Sequence, residues 1–192
     1  MKKIELEIVA LSHSITQSNS YAVVLGEVNG LRRLPIVIGG FEAQAIAVAL
    51  EKMKPTRPLT HDLMKNFMLA FNVDLHEVVI SDLQEGIFYS KLLCSNEADT
   101  VEIDSRTSDA LALAVRFGCP IYIYENIFEI AGVDQPDKMI PEEKKAVPLS
   151  NGNEDLKKLD LEELDKLLNE VLDNEDYIRA IAIRDEINSR KK

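Results

Sequence analysis

Three charged side chains stand directly before an apolar, helix-like run. They are Asp104, Arg106 and Asp109 in the stretch DSRTSDALALAVRFG. Carboxylates can hold a divalent cation, and an arginine can stabilise negative charge that develops on a phosphate. The same residues can also begin a helix, because a carboxylate in the first turn meets unpaired backbone N–H groups. Their spacing is therefore compatible with a phosphate-processing site and with an ordinary helix start.

A second polar segment, TRPLTHD, supplies Arg57, His61 and Asp62. Histidine titrates near neutral pH, so His61 can act as a general base or acid. A structural interpretation is also available, since Thr60 is placed to cap a helix that runs on through Phe71. This segment therefore offers a proton-transfer residue, an arginine and a carboxylate beside a predicted helix.

Predicted strands and helices must position these two segments. KIELEIVAL and the two runs around the turn Asn29-Gly30 have the composition of strands, and EAQAIAVALEK is rich in strong helix formers. After the second polar segment, strand-like runs resume at LHEVVISDL, GIFYSKLLCS and TVEIDS. The apolar run after Asp109 predicts a helix that ends at Gly118, and PIYIYENIF predicts a short strand with one more helical turn.

The chain repeats itself with an offset of 67 residues. Of the 30 residue pairs between 21–50 and 88–117, 7 are identical, and the order strand, strand, strand, helix agrees without a gap. The offset places Glu42 on Asp109, so each half carries one carboxylate at the start of its apolar helix. The sequence therefore predicts an α+β domain of two duplicated halves, with TRPLTHD between them where it can reach both.

Two interpretations of the charged residues stay open at this point. In a functional one, carboxylates hold Mg²⁺ or Mn²⁺, a histidine moves a proton and arginines face a phosphate. In a structural one, the side chains form helix caps and ion pairs, and removing one partner of such a buried network costs about 3 to 5 kcal/mol. The candidate metal ligands are Asp104, Asp109, Glu42 and Asp62, and the candidate catalytic residues are His61, Asp104, Asp109, Arg106 and Arg57.

Composition limits the class of protein. The 192 residues are 46% hydrophobic and carry a formal net charge of -11. Nucleic-acid affinity that rests on lysine and arginine is therefore disfavoured, and the site itself would have to hold a phosphate. No apolar run reaches the roughly 20 residues of a membrane span, which predicts a soluble, cytoplasmic protein without membrane contact. Cys94 and Cys119 lack metal-ligand spacing and are expected to be buried thiols.

The residues after the repeat have a different character. Three prolines and few large apolar residues at 134–156 predict a linker. Apolar residues then recur at helical spacing from Leu161 to Val171, and a second apolar set follows a break at Asp173-Asn174. This pattern predicts an αα-hairpin, which is too small to bury a core alone and should pair with a copy of itself or with a partner's helices.

With these segments in view, the chain resembles the bifunctional nuclease domain family over roughly residues 3–133. The resemblance rests on four motifs in order, LPIVIGGFEAQAIAVAL, RPLTHDLM, VVISDLQEGIFYSKL and IDSRTSDALALAVRFGCPIYI. It implies an oligomeric α+β domain that degrades DNA and RNA. Thr107 departs from the family, which usually has Pro there, and this implies a less rigid turn into the helix. The family's polar motif residues fall on Glu42, Arg57, Thr60, His61, Asp62, Asp104, Arg106, Ser108 and Asp109.

The C-terminal segment LDKLLNEVLDNEDYIRAIAIRDEI is similar to the UVR motif, the helical hairpin with which excision-repair proteins dock onto a partner copy of that hairpin. This resemblance implies binding to a UVR-bearing protein or to a second copy of the chain. The domain prediction is therefore a bifunctional nuclease-like domain at 1–133, a linker at 134–156 and a UVR-like hairpin at 157–192.

Two functions follow from the residues and the resemblance together. The first is a metal-dependent nuclease that hydrolyses phosphodiester bonds in DNA, RNA or both. The second is a non-enzymatic oligomeric regulatory protein that recruits a UVR-bearing partner. The relative positions of the candidate carboxylates separate the two, because convergence of Glu42, Asp62, Asp104 and Asp109 within reach of one ion favours chemistry.

Overall fold

The structure, a computed structural model, describes residues 2–13, 20–133, 156, 159–173 and 177–190. The chain divides into two units, Met1–Met139 and Ile140–Lys192. No helix within the described residues is both long and apolar enough to span a membrane.

The described part of the first unit contains seven strands and four helices. The strands are β1 (Lys3–His13), β2 (Ser20–Glu27), β3 (Arg33–Gly39), β4 (Asp74–Gln84), β5 (Ile87–Ser95), β6 (Thr100–Arg106) and β7 (Ile121–Tyr124). The helices are α1 (Gly40–Leu50), α2 (Thr60–Ala70), α3 (Thr107–Phe117) and α4 (Glu125–Ala131).

The duplication predicted from the sequence is confirmed. Shifting β3 by 67 residues gives the bounds of β6, and shifting α1 gives the bounds of α3. The strands form one sheet in the order β3-β2-β1-β7-β4-β5-β6, with three strands of each half on either side of β7. Neighbouring strands are antiparallel except β4 and β7, which are parallel. β7, which lies outside the repeat, therefore joins the two halves into the predicted α+β domain.

The two repeat helices pack against each other and against the sheet. α1 contacts β2 and β3, α3 contacts β4, β5 and β6, and α1 and α3 contact each other directly. The distance between packed helices depends on the side chains at their contact, so small residues allow a close approach. Both helices are rich in buried alanine, at Ala43, Ala45 and Ala47 on α1 and at Ala110, Ala112 and Ala114 on α3.

Two cysteines lie in this unit, and both are free thiols. Cys94 is buried as predicted, whereas Cys119 is half-buried. Burial raises the pKa of Cys119 to about 11. The group is therefore a thiol and not a reactive thiolate at neutral pH.

One helix start differs from the sequence-based expectation. The N-cap of α2 is Leu59 and Thr60 is the first helical residue, so the prediction that Thr60 caps this helix is wrong. Asp62 stabilises this helix start instead, because its Oδ2 accepts a hydrogen bond of 2.9 Å from the backbone N–H of the N-cap residue Leu59. The N-cap of α3 is Arg106, without a side-chain cap, whereas Gly118 ends α3 in the left-handed region at φ 70°, as predicted.

In the described part of the second unit, helix α5 (Leu161–Asp173) packs against helix α6 (Tyr177–Arg190). Leu164 and Ile183 are fully buried. The predicted αα-hairpin is therefore confirmed. Most of the predicted linker at 134–156 lies outside the described residues.

The turn from β6 into α3 is fixed by two hydroxyl groups. The hydroxyl of Thr107 donates a hydrogen bond of 3.0 Å to the carbonyl oxygen of Phe88. The hydroxyl of Ser90 lies 2.8 Å from that of Thr107, and since the Thr107 proton is already used, Ser90 is the donor of this bond. Thr107 and Ser90 are both buried. Side-chain hydrogen bonds therefore hold a turn for which the resemblance implied less rigidity.

We expect Thr107→Val to destabilise the domain, because the buried Ser90 hydroxyl would lose its acceptor. An unsatisfied buried hydroxyl costs about 1 to 3 kcal/mol, which urea unfolding monitored by circular dichroism would measure. Thr100→Val is the matched control, since Thr100 is exposed at the other end of β6. Equal unfolding free energies for the two variants would contradict the role given to the Ser90–Thr107 pair.

Candidate functional site

Arg106 joins the two halves of the domain through ion pairs. Its guanidinium donates from Nε to Oδ2 of Asp109 at 2.7 Å and from Nη2 to Oδ1 of the same carboxylate at 3.2 Å. A third hydrogen bond, from Nη1 to Oε1 of Glu42, is 3.2 Å long. Because Glu42 lies in the first turn of α1 and Asp109 in that of α3, one arginine bridges the two carboxylates that the repeat pairs.

The local sequence explains why these side chains meet. Arg106 ends β6, and both carboxylates stand in the first turn of a helix, where the positive end of the helix dipole favours them. The position equivalent to Arg106 in the first half is Gly39, and a Cβ there would lie 2.4 Å from Oε2 of Glu42. Glycine at position 39 therefore leaves the space into which the Glu42 side chain folds.

His61 extends the arrangement from the first turn of α2. Its Nε2 lies 3.0 Å from Oδ1 of Asp109, and its side chain is 16% exposed. Nδ1 of His61 makes no hydrogen bond with a residue of the described ranges. A carboxylate that bonds one ring nitrogen orients the imidazole and leaves the other nitrogen for proton transfer. The four residues Glu42, His61, Arg106 and Asp109 are called the central cluster below.

The contacts of the central cluster fix the charge of Asp109. Burial by itself raises the pKa of Asp109, but the hydrogen bonds from Arg106 and His61 outweigh it and lower the pKa below its ordinary value of 3.8. The hydrogen bond to Asp109 in turn raises the pKa of Arg106, whose side chain is 68% exposed. One arginine against two carboxylates leaves the cluster with a formal charge of about -1 when His61 is neutral.

A second arginine, Arg116, holds α2 onto the two repeat helices. Its Nε donates to Oδ1 of Asp62 at 2.6 Å, and its Nη1 donates to the carbonyl oxygens of Ala45 and Ala112, both at 2.9 Å. The side chain of Arg116 is only 5% exposed, and its Nη2 is buried without a hydrogen-bond partner among the described residues. Burial raises the pKa of Asp62, but the hydrogen bonds from Arg116 and Leu59 outweigh it and lower the pKa. Asp62 is therefore committed to a structural ion pair.

Sequence reasoning missed Arg116. The residue stands in the last turn of an apolar helix, where a basic side chain commonly interacts with the helix dipole at the surface. The sequence does contain a signal for this residue, because Arg116 is the only charged residue in the apolar stretch ALALAVRFG. A single charge within a strongly apolar stretch predicts a buried partner, and that partner is Asp62.

Two predicted site residues lie apart from the central cluster. Asp104 stands opposite Lys91 in the β5–β6 ladder, so strand alternation turns its side chain away from the face that carries Ile103 and the buried Leu92. Asp104 is exposed, and no described residue forms a hydrogen bond or ion pair with its carboxylate. Arg57 is exposed between α1 and α2, likewise without such a contact in the described part of the chain.

The four candidate metal ligands do not form one set. Glu42 and Asp109 belong to the central cluster, whereas Asp62 is held by Arg116 and Asp104 lies on β6. Within the described ranges, no group of three or more His, Cys, Asp or Glu side chains is placed to hold a metal ion. Mg²⁺ commonly uses one or two carboxylates and completes its shell with water and phosphate oxygens. Glu42 and Asp109 are the two candidate ligands that the structure brings together, each bonded to Arg106.

We expect the ion pairs of Asp62 and Asp109 to make the domain sensitive to acid. Both pKa values are lowered below 3.8 in the folded chain, so the stabilisation they give is complete above that value and is lost as the pH falls through the lowered values. The free energy of unfolding, measured with urea at a series of pH values, should therefore fall as the pH decreases below 3.8.

Asp62→Asn should be less stable than the native protein at neutral pH and should lose less stability in acid, because Arg116 then lacks its carboxylate at every pH. Asp104→Asn is the control and should follow the native curve, since its carboxylate is exposed and unpaired within the described part of the chain. An Asp62→Asn curve that runs parallel to the native one throughout the acid range would contradict the stabilising role of this ion pair.

Comparison with known proteins identifies the family of this chain. The model of the bifunctional nuclease domain matches residues 23–136, more than half of the chain. An uncharacterized protein of Mycobacterium tuberculosis strain H37Rv is 43% identical over 129 residues, which cover 67% of this chain and 77% of that protein. Bifunctional nuclease 1 of Oryza sativa subsp. japonica is 26% identical over 97 residues, which cover 49% of this chain but only 29% of that protein. The chain therefore belongs to the bifunctional nuclease domain family.

Proposed function

We propose that this chain is a nuclease that hydrolyses phosphodiester bonds in DNA, RNA or both at the central cluster. One observation carries the proposal: Asp109 bonds at the same time to a histidine that can move a proton and to an arginine that is 68% exposed. The similarity to a protein named bifunctional nuclease 1 supports the same class of reaction.

His61 is the proton acceptor in this proposal. With Nε2 held by Asp109, the lone pair of Nδ1 takes a proton from water as the water oxygen attacks phosphorus. The bond from phosphorus to the leaving sugar oxygen then breaks, that oxygen takes a proton from solvent water, and the His61 imidazolium afterwards releases its proton to solvent. Asp109 stays ionised because its pKa is lowered, so it stabilises the imidazolium that forms.

Arg106 faces the phosphate. Arginine presents several N–H donors in a planar fork that matches phosphate oxygens, and it stabilises charge that grows on them during the reaction. Asp109 and Glu42 hold the guanidinium on two sides, which limits the rotamers it must give up on binding. Its exposure leaves donors accessible to a substrate.

A divalent cation completes the proposal. The central cluster has a formal charge of about -1, so its carboxylates repel a phosphate unless another positive charge joins them. Glu42 and Asp109 would hold Mg²⁺ or Mn²⁺ through their carboxylate oxygens. Such a cation, when bound, lowers the pKa of a water ligand and offsets phosphate charge.

The remaining candidate residues take other roles in this proposal. Asp62 positions His61, because its ion pair with Arg116 fixes the first turn of α2 against the repeat helices. Asp104 and Arg57 stay outside the reaction, since neither contacts the central cluster by a hydrogen bond or an ion pair.

We expect Asp109→Asn and Asp104→Asn to differ strongly in their rates of cleavage. Asp109→Asn removes the carboxylate that orients His61 and holds Arg106, so the rate on labelled DNA and RNA should fall by about 100-fold, the lower end of what general acid–base catalysis contributes. Asp104→Asn should keep the native rate. Melting curves of both variants provide the control for folding.

Loss of cleavage in Asp104→Asn with Asp109→Asn fully active would contradict this assignment. Loss of cleavage in Asp109→Asn that tracks unfolding of the variant would leave the cluster with a structural role only, which favours the second candidate function.

We expect cleavage to require a divalent cation. Treating the purified protein with EDTA should abolish activity, and added Mg²⁺ or Mn²⁺ should restore it, because without a cation the net charge of the central cluster is negative and repels a phosphate. Glu42→Gln should shift the cation concentration at half activity upwards. Full activity in EDTA would remove the cation from the proposal and leave hydrolysis to His61 and Arg106.

The second candidate is a non-enzymatic regulatory protein. One observation favours it: both carboxylates of the central cluster are already bonded to basic side chains, as in a structural network. The α5–α6 hairpin would then carry the function by docking onto a UVR-bearing protein or a second copy of the chain. Purified protein that retains such a partner on an affinity column, but cleaves neither DNA nor RNA with Mg²⁺ or Mn²⁺, would establish this function instead.

A further inference from the structure

Helix α2 exposes an apolar stripe along its length. Leu63, Phe67 and Phe71 recur at a spacing of four residues and are 63%, 57% and 64% exposed. Met64 lies beside them and is 40% exposed, while Met68 is buried. The rings of Phe67 and Phe71 are 4.7 Å apart between centroids, so the stripe is continuous. The four exposed residues Leu63, Met64, Phe67 and Phe71 are called the α2 stripe.

The charged side chains of α2 all turn away from this stripe. His61 bonds to Asp109, Asp62 bonds to Arg116, and Lys65 donates to the backbone carbonyl oxygen of Arg116. The Lys65 ammonium also lies 5.2 Å from the ring centroid of Phe117 on α3. Polar contacts to α3 therefore attach the helix, and its outward side is left uncharged.

We propose that the α2 stripe docks onto the α2 stripe of a second copy of this chain. A contact between identical surfaces must complement itself, and an uncharged apolar stripe does so without placing like charges together. This condition is demanding here because each copy has a formal net charge of -11. Copies of so acidic a chain repel each other, and an uncharged surface is where they can approach most easily.

Charge also argues against other occupants of the stripe. Helices that lie on membrane surfaces carry Lys and Arg beside their apolar face to meet anionic lipid, whereas the one lysine of α2 is bonded to α3. A basic or acidic peptide would find no opposite charge on the stripe. A second α2 matches it in length and in chemistry.

The size of the stripe indicates a weak contact. Four side chains that each expose about half of their area offer roughly 400 Å², taking about 200 Å² for a large side chain. Stable interfaces bury about 800 Å² on each partner. The association should therefore depend on protein concentration. In an antiparallel pair of α2 helices, Phe67 lies near the twofold axis, and Leu63 meets Phe71 of the partner subunit.

Two measurements on the full chain test the proposal. In sedimentation velocity over a wide range of concentration, the native chain should associate, and Phe67→Glu/Phe71→Glu should lose that association step. Leu31→Glu is the matched control, since Leu31 is 74% exposed in the turn between β2 and β3. It should associate like the native chain.

Oxidative cross-linking locates the contact without the glutamate variant, so its result does not depend on whether that variant folds. It also distinguishes contact through α2 from pairing through the α5–α6 hairpin. Asn66→Cys, on the exposed side of α2, should form a disulfide-linked dimer under mild oxidation, and Leu31→Cys should not. A native chain that stays monomeric at every concentration, a Phe67→Glu/Phe71→Glu variant that associates like the native chain, or equal cross-linking at both positions would overturn the proposal. Stripe-dependent binding to vesicles of phosphatidylcholine and phosphatidylserine would overturn it in favour of a membrane surface.

Discussion

The close contact between α1 and α3 is the constraint on which the rest of the domain depends. Buried alanines on both helices keep the side chains at this contact small, and Arg116 reaches a backbone carbonyl on each helix, Ala45 and Ala112, from one guanidinium nitrogen. With larger side chains in their place, the helices would move apart and a single arginine could not bridge them. The same closeness lets Arg106 contact carboxylates from both halves.

Two arginines therefore connect separate helices through ion pairs in a strongly acidic chain. Arg116 is buried and joins three helices, so it serves the fold. Arg106 is exposed and joins two helix starts, so its guanidinium remains accessible to an incoming anion. Arginine suits both places, because its planar fork makes several directed hydrogen bonds and stays charged at any working pH. Arg116 and Arg106 therefore differ in burial and not in chemistry, and burial is what separates the structural arginine from the candidate functional one.

Much of the fold could be predicted from the sequence, because the repeat is a long-range signal. It gave the order of elements in both halves and the pairing of Glu42 with Asp109, which depends only on matching positions. Asp104 shows the limit of that reasoning. Its nearness to Arg106 along the chain suggested one cluster, but its carboxylate is exposed opposite Lys91 and forms no hydrogen bond or ion pair with a described residue.

The remaining differences have local causes. Thr60 has the usual chemistry of an N-cap, yet Asp62 reaches back to the Leu59 N–H and moves the helix start by one residue. The sequence predicted a helix that runs through Leu63, Phe67 and Phe71, and the helix is present. Periodicity identifies such a face but not what covers it, so the exposure of the α2 stripe could be learned only from the structure.

Gly39 shows what a tandem duplication permits that a symmetric pair of half-chains does not. In a homodimer of half-chains, every substitution is present in both copies, so an arginine at one helix start would face a second arginine at the equivalent helix start. Within one chain the two positions can differ, and here one is Gly39 while the other is Arg106. Because of this asymmetry, two equivalent carboxylates share one arginine and form a single site. The asymmetry also fixes one such site per chain, whatever the number of chains that assemble.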